Sequence, residues 1–182
     1  MQIFKEIKME EFEAKAMPHL NDIFRVALRL AKNRSEAENL IEEVYLQAWK
    51  TFRFYEPETN CRAWLFKILF SKFNHHRQKN ITFEFAKDDD ALRNPDFKPA
   101  VVAETLSDEE ICSSLEYISP DFREPMLLAH VEEFSYEEIT EILDIPLETV
   151  KSRISRGRVL MRSEMMKLAD SHKVVSNEGV FV

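Results

Sequence analysis

Residues Ser135 to Arg162, SYEEITEILDIPLETVKSRISRGRVLMR, leave little freedom in how they can fold. Ser135 with Glu138 three positions on is a capping box: the serine oxygen takes an orphan backbone N–H while the carboxylate reaches back. Ile139, Ile142 and Leu143 then recur at helical spacing, until Asp144-Ile145-Pro146 stops the run. A proline cannot continue the ladder and pushes its predecessor out of the helical region. From Leu147 the helical period resumes, with Val150, Ile154, Met161 and Met165 on one face. The outward positions carry five positive charges (Lys151, Arg153, Arg156, Arg158, Arg162) and the hydroxyls of Ser152 and Ser155. That chemistry suits phosphates and base edges. A short helix, a turn of about three residues and a longer basic helix read as a helix-turn-helix.

A basic amphipathic helix alone is as often a solvated face as a reading head. Two features favour the reading head. The turn is one, and the segregation of charge is the other: Glu132, Glu133, Glu137, Glu138, Glu141, Asp144 and Glu148 lie at or before the start of the second helix, and the cations follow. A face built only for solubility mixes its signs.

Only two glycines occur in 182 residues, with 32% charged residues, and sheets need more turn glycines than that; the expected class is all-α. The length supports one medium core or two small ones. No apolar run is long enough to cross a bilayer, so no membrane insertion is expected. Residues Met1 to Glu10 are too charged for a secretory signal, and a cytoplasmic location follows as an expectation. Cys61 and Cys112 form neither a metal spacing nor a disulfide framework, so reduced thiols are expected.

The net charge of −8 argues against a simple nucleic-acid binder, yet its distribution does not. Cys61 to Lys79 carries Arg62, Lys67, Lys72, Arg77 and Lys79 with no carboxylate, a net +5. Thr82 to Glu110 is net −6 and separates that block from the second basic helix.

In chain order, a first helix is expected over Glu10 to Lys32, with Phe12, Leu20, Ile23, Phe24, Ala27, Leu28 and Leu30 as its stripe and Pro18 as a kink or a late start. Ser35 and Glu38 form a second capping box for a helix that turns Ala37, Leu40, Ile41, Val44, Tyr45, Ala48 and Phe52 inward. After a loop at Arg53 to Thr59, Asn60 caps a third helix whose Trp64, Leu65, Ile68, Leu69 and Phe73 face the bundle. Residues 1–80 make one domain. Residues 81–106, with Pro95, Pro99 and the Asp88-Asp89-Asp90 run, read as a flexible acidic linker. Ser107 and Glu110 open a helix from Asp108 to Tyr117; Pro120 breaks it, and a helix from Phe122 to Glu133 follows. Together with the helix-turn-helix these make a second domain over 107–170, before a tail at 171–182. From Ala169 onward no element is assigned.

These runs resemble the sigma factors of bacterial RNA polymerase, of the compact two-domain extracytoplasmic-function (ECF) group, over Phe12 to Leu168. AENLIEEVYLQAWKTF followed by NCRAWLFKIL is similar to the family's polymerase-docking helix and its helix for the −10 promoter element. FSYEEITEILDIPLETVKSRISRGR is similar to its −35-reading helix-turn-helix. The resemblance implies two small helical domains and a role in promoter recognition, melting and transcription initiation. It implies RNA polymerase core and promoter DNA as partners, and an anti-sigma factor that masks the chain. The chain would act as a monomer within the holoenzyme.

Carried over by residue, polymerase binding falls on Asn39, Leu40, Glu42, Glu43 and Tyr45. The −10 contacts fall on Phe52, Phe54, Tyr55, Asn60, Arg62, Lys67, Arg77 and Lys79, and the −35 contacts on Thr149, Lys151, Ser152, Arg153, Ser155, Arg156, Arg158 and Arg162. Asn39 stands where the family usually has aspartate, Glu42 where it has glutamine, and Ser71 where asparagine is common. Thr140 replaces a usual alanine and Asp144 a usual glycine. Aspartate tolerates a left-handed turn, so the turn can survive.

The residues support these roles independently of the family. An extruded base is held by stacking plus edge hydrogen bonds, which Phe52, Phe54 and Tyr55 beside Asn60 can supply. Trp64 reads as core, and Phe54 and Tyr55 as exposed. Gly157 in mid-helix costs about 1 kcal/mol against alanine, which a close approach of a helix or a phosphate would explain. The competing reading is a stand-alone helix-turn-helix transcriptional regulator with a sensing or dimerisation domain. An enzyme is not expected: adjacent His75 and His76 diverge by about 100° on a helix, and there is no phosphate loop, nucleophile elbow or metalloprotease helix. No catalytic residue, metal or cofactor is assigned.

Overall fold

The computed structural model describes residues 2–31, 33–56, 59–80 and 118–177, with side chains described for 9–31, 33–56, 59–78 and 118–166. The expected acidic linker, the helix from Asp108 to Tyr117, its Ser107/Glu110 box and Cys112 lie outside the described residues. Every regular element among the described residues is helical: α1 (Gln2–Ala16), α2 (Leu20–Leu30), α3 (Arg34–Thr51), α4 (Cys61–Asn80), α5 (Pro120–His130), α6 (Tyr136–Leu143) and α7 (Leu147–Asn177). Two compact units emerge, one built on α1–α4 and the other on α5, the first half of α6 and α7.

In the first unit, the single helix expected up to Lys32 is two. Pro18 sits in a 3-10 turn, Met17–His19, that separates α1 from α2. A proline has no N–H to give to the preceding turn, so the ladder restarts after it. The cap of α3 is also not where the Ser35/Glu38 spacing put it. Asn33 is the N-cap in extended geometry (φ −154°), accepting from Glu36 N–H at 2.9 Å and donating its amide to Glu36 Oε1 at 2.9 Å. Asparagine caps as well as serine, and its amide adds a charge-assisted bond to the Glu36 carboxylate. Asn60 caps α4 as expected, its Oδ1 accepting from Arg62 N–H at 3.1 Å and Ala63 N–H at 3.3 Å.

The core of this unit is Ile23, Val26, Ala27 and Leu30 of α2, Ala37, Leu40, Val44 and Ala48 of α3, and Leu65, Phe66, Leu69 and Phe70 of α4. Val26, Phe66 and Phe70 were not on the expected stripes, and Leu28, which was, is exposed. α4 packs against α1, α2 and α3 together, so more than one face of it must be apolar.

The second unit rests on α5 against α7. Pro120, expected as a break, is the first residue of α5, where its missing N–H costs nothing, and Ser119 precedes it as N-cap. The helix ends at His130, three residues before the expected Glu133. There Glu132 N–H returns to Leu127 C=O (3.1 Å), Phe134 N–H returns to Leu128 C=O (3.0 Å), and Glu133 is left-handed at φ 56°. The Ser135/Glu138 box closes as expected. Ser135 N–H donates to Glu138 Oε2 at 2.9 Å, and Glu138 N–H donates to Ser135 Oγ at 3.2 Å. The turn after α6 runs through Asp144 at φ 54°.

Helix α7 buries Val150, Ile154, Gly157, Leu160 and Met165. A Cβ at Gly157 would run into Met126 Sδ and sit 3.0 Å from Met126 Cγ, so α5 approaches closely and the glycine is explained by a helix rather than by a phosphate. The helix continues to Asn177, into residues to which the sequence assigned no element. Neither proline nor glycine occurs between Arg158 and Asn177 to end it.

Candidate nucleic-acid and polymerase surfaces

On α7, positions one step off the buried seam are presented outward. Lys151, Ser152, Ser155, Arg156 and Arg158 are exposed, while Thr149, Arg153 and Arg162 are half-buried. Their surroundings differ. Lys151 Nζ meets Glu148 Oε1 at 3.0 Å on the open surface, a pair worth at most about 1 kcal/mol and easily exchanged for a phosphate. Arg153 Nη2 reaches Asp121 Oδ1 of α5 at 3.6 Å, so a carboxylate already faces its charge. Arg158 donates Nε–H to His130 Nε2 at 3.3 Å.

In the first unit, the expected base-handling aromatics separate into two groups. Phe52 and Tyr55 stack on each other with centroids 5.6 Å apart and planes 8° apart. Tyr55 lies 4.9 Å from Trp64, and Phe12 lies 5.2 Å edge-on to Phe52. Tyr55 Oη donates to Thr59 C=O at 2.6 Å, and Lys15 Nζ lies 5.2 Å from the Tyr55 centroid. Phe12 is buried, Phe52, Tyr55 and Trp64 are half-buried, and the rings hold one another, so the expectation of an exposed Tyr55 does not hold, and Trp64 is half-buried rather than fully core. Phe54 is different. It is 71% exposed at the end of a 3-10 turn, Phe52–Phe54, with the Arg53 guanidinium 4.4 Å over its ring.

The basic side of α4 is partly engaged within the unit. Arg62 Nε lies 3.4 Å from Asp22 Oδ2 of α2, and its guanidinium lies 5.1 Å from the Phe66 centroid. Asn60 and Lys67 are exposed and Arg77 is half-buried; the side chain of Lys79 lies outside the described residues. Cys61, at the start of α4, is a free thiol, half-buried, and burial pushes its pKa up.

The residues expected to dock on polymerase are also distributed unequally. Asn39 and Glu42 are exposed on α3. Leu40 is 5% exposed and belongs to the core. Glu43 is turned to α4, with Oε2 at 3.0 Å from His76 Nε2 and 3.9 Å from Lys72 Nζ. Tyr45 Oη donates to Ala16 C=O at 3.1 Å, and burial pushes its pKa up to about 12. Leu46, which the sequence reading left out, is 54% exposed and follows Asn39 and Glu42 at i+7 and i+4 on one stripe. The signal was there: a leucine off the 37/40/44/48 seam has no place in the core.

An exposed phenylalanine beside a basic helix, followed along the chain by the capped α6, a tight turn and the cationic α7, is the arrangement that a promoter-type DNA reader requires. The description of sigma-70 region 2 matches residues 16–80, and that of sigma-70 region 4 matches residues 108–161. The ECF RNA polymerase sigma factor EcfG of Rhodopseudomonas palustris is 32% identical over 133 residues, 72% of this chain and 72% of that protein. SigE of Mycolicibacterium smegmatis is 29% identical over 163 residues, covering 87% of this chain and 63% of SigE. The sigma factor RpoE of Bartonella quintana, solved in complex with the anti-sigma factor NepR, has the same fold, with a TM-score of 0.67 at 24% identity over 86% of this chain and 98% of that one. The chain belongs to the ECF sigma factors, a family that works with RNA polymerase at promoters. Both regions in this order leave the stand-alone regulator without support. No described helix is long and apolar enough to cross a membrane.

Proposed function

We propose that this chain directs RNA polymerase core to promoters from the cytoplasm, with residues 1–80 handling polymerase and the −10 element, residues 107–170 the −35 element, and 81–106 acting as an acidic linker. The observation that carries the assignment to residues is Phe54, a large aromatic left in water next to a ring cluster that is packed. Unstacking a base is tolerable only if something replaces the stack, and Phe54 with Arg53 offers an aromatic face and a cation. Phe52, Tyr55 and Asn60 complete the proposed base-handling set, and Arg62, Lys67, Arg77 and Lys79 supply the positive field.

On α7, Ser152, Ser155 and Arg156 are the base-edge readers, because they are exposed and face away from the buried seam. Thr149, Lys151, Arg158 and Arg162 take phosphates, and Arg153 contributes less because Asp121 faces it. Asn39, Glu42 and Leu46 form the docking stripe for polymerase, with Leu40, Glu43 and Tyr45 holding α3 in place beneath it. An anti-sigma partner is proposed from the complex in which the Bartonella quintana neighbour was solved.

Run-off transcription from genomic fragments, with core polymerase and with or without this chain, tests the whole reading; transcripts that need the chain are expected. Phe54→Ala should weaken holoenzyme binding to a single-stranded −10 fragment by about 1–3 kcal/mol, the worth of one base stack. Unchanged binding would remove Phe54 from the site. Leu46→Asp should abolish co-purification with core polymerase while the free chain melts as before.

A further inference from the structure

Helix α5 reaches two arginines of α7 with chemically different groups, one near each end. Near its start, Asp121 meets Arg153 with a carboxylate. At its last residue, His130 meets Arg158 with an imidazole. A guanidinium nitrogen can only donate, so the bond at 3.3 Å requires an unprotonated His130 Nε2 and puts the ring proton on Nδ1. The ring is therefore neutral in this arrangement.

We propose that His130 is a positioning residue for Arg158: it fixes the guanidinium for a DNA phosphate without cancelling its charge. The inference rests on the reading of α7 as the −35 helix. A carboxylate at 130 would orient the arginine equally well but would compensate the charge that phosphate binding uses, which is the situation of Arg153. An imidazole acceptor takes Nε–H alone and leaves the four N–H groups on the two η nitrogens for a phosphate, in the fork geometry that makes arginine a bidentate ligand. Arg158 is exposed, so those nitrogens have somewhere to go.

The setting favours the neutral ring. Partial burial first, and the Arg158 charge on α7 second, hold the His130 pKa below the ordinary 6.5. Protonation would remove the acceptor and set two cations against each other, releasing the side chain it had held.

The test uses holoenzyme reconstituted with core polymerase and a fluorescein-labelled duplex carrying a promoter recovered by the run-off screen, with affinity measured across a KCl series. Arg158→Ala should lower the slope of log K against log salt by about one, the signature of one lost phosphate contact. His130→Ala should weaken binding about three- to tenfold, the order of one hydrogen bond. In the Arg158→Ala background it should have no further effect. His130→Gln, whose amide oxygen accepts without titrating, should restore wild-type affinity. Wild type should lose affinity as pH falls below 6.5, where His130 takes up a proton, and the glutamine variant should lose less over the same range. If His130→Ala costs as much in the Arg158→Ala background, or if the glutamine fails to rescue, the positioning role is overturned. If Arg158→Ala weakens binding and His130→Ala does not, that role falls while the −35 reading stands. An unchanged slope in Arg158→Ala would instead sink the −35 assignment of Arg158 itself.

Discussion

A methyl group at Gly157 would enter the space of the buried Met126 side chain, so a substitution that normally strengthens a helix should weaken this one. Alanine gains about 1 kcal/mol of helix propensity, and overpacking of this kind costs about 1–3 kcal/mol. Gly157→Ala should therefore destabilise the second unit by about 1 kcal/mol, and in a Met126→Ala background, where the space is open, the same change should stabilise it. Hydrogen exchange of α5 and α7 amides reads this. Both tryptophans, Trp49 and Trp64, lie in the first unit and should not report it. The same sign in both backgrounds would mean that the α5–α7 approach is looser than described. Glu133 and Asp144 give a second comparison, because both are left-handed, at φ 56° and 54°. Glycine relieves about 1 kcal/mol of strain at such a position, and aspartate tolerates it better than glutamate. Glu133→Gly should raise the midpoint of denaturation more than Asp144→Gly.

At the scale of the element, the sequence disclosed most where a single local bond decides the outcome. The Ser135/Glu138 box, the stop at Pro146 and the Asn60 cap could all be read from neighbouring residues, because each is decided within one turn of chain; the left-handed Asp144 followed instead from the glycine usual at that position in the family the chain resembles. The start of α3 was misplaced because Asn33 and Ser35 are both good caps, and only the reciprocal bond with Glu36 decides between them. What depends on the number of neighbours was less legible. Phe66 and Phe70 are buried because α4 has three partners, and the periodicity of one helix cannot count its partners. The site divides in the same way. Exposed Asn39, Glu42, Ser152 and Arg156 follow from helical phase, whereas Glu43 and Arg62 were assigned outward and are instead met by His76 and Asp22 from other helices. Tyr45 is the tertiary contact with the clearest pH signature. Its folded pKa is raised from 10.0 to about 12, so the protonated phenol is favoured in the fold. Stability from this group is complete below pH 10 and is lost as pH rises from there through about 12. Circular dichroism of wild type against Tyr45→Phe over that window should show a larger alkaline loss in wild type, the remainder in the variant including Tyr55, whose pKa burial also raises. Parallel curves would remove the Tyr45–Ala16 bond from the forces holding α1.

For the molecule as a whole, charge is arranged to work against its own DNA affinity. The chain is net −8, yet Cys61 to Lys79 is net +5 and α7 carries a cationic face, with Thr82 to Glu110 at net −6 lying between them in sequence. Long-range repulsion between an acidic protein and DNA reaches about 10 Å at 0.1 M salt, so at low ionic strength the whole chain is repelled while each basic surface is attracted. Each surface alone is small, and joint engagement gains strength only when something fixes the span between them. The isolated full-length chain should accordingly bind a promoter duplex far more weakly than holoenzyme does, and neutralising Asp88, Asp89 and Asp90 to asparagine should raise the free chain's affinity for any duplex. That gain should shrink as KCl is raised and should be much smaller in holoenzyme, where polymerase sets the geometry. Fluorescence anisotropy with one promoter and one unrelated duplex separates the outcomes. If the free wild-type chain binds the promoter tightly and selectively at moderate salt, the two surfaces need no external frame, and the acidic stretch has some other role than restraint.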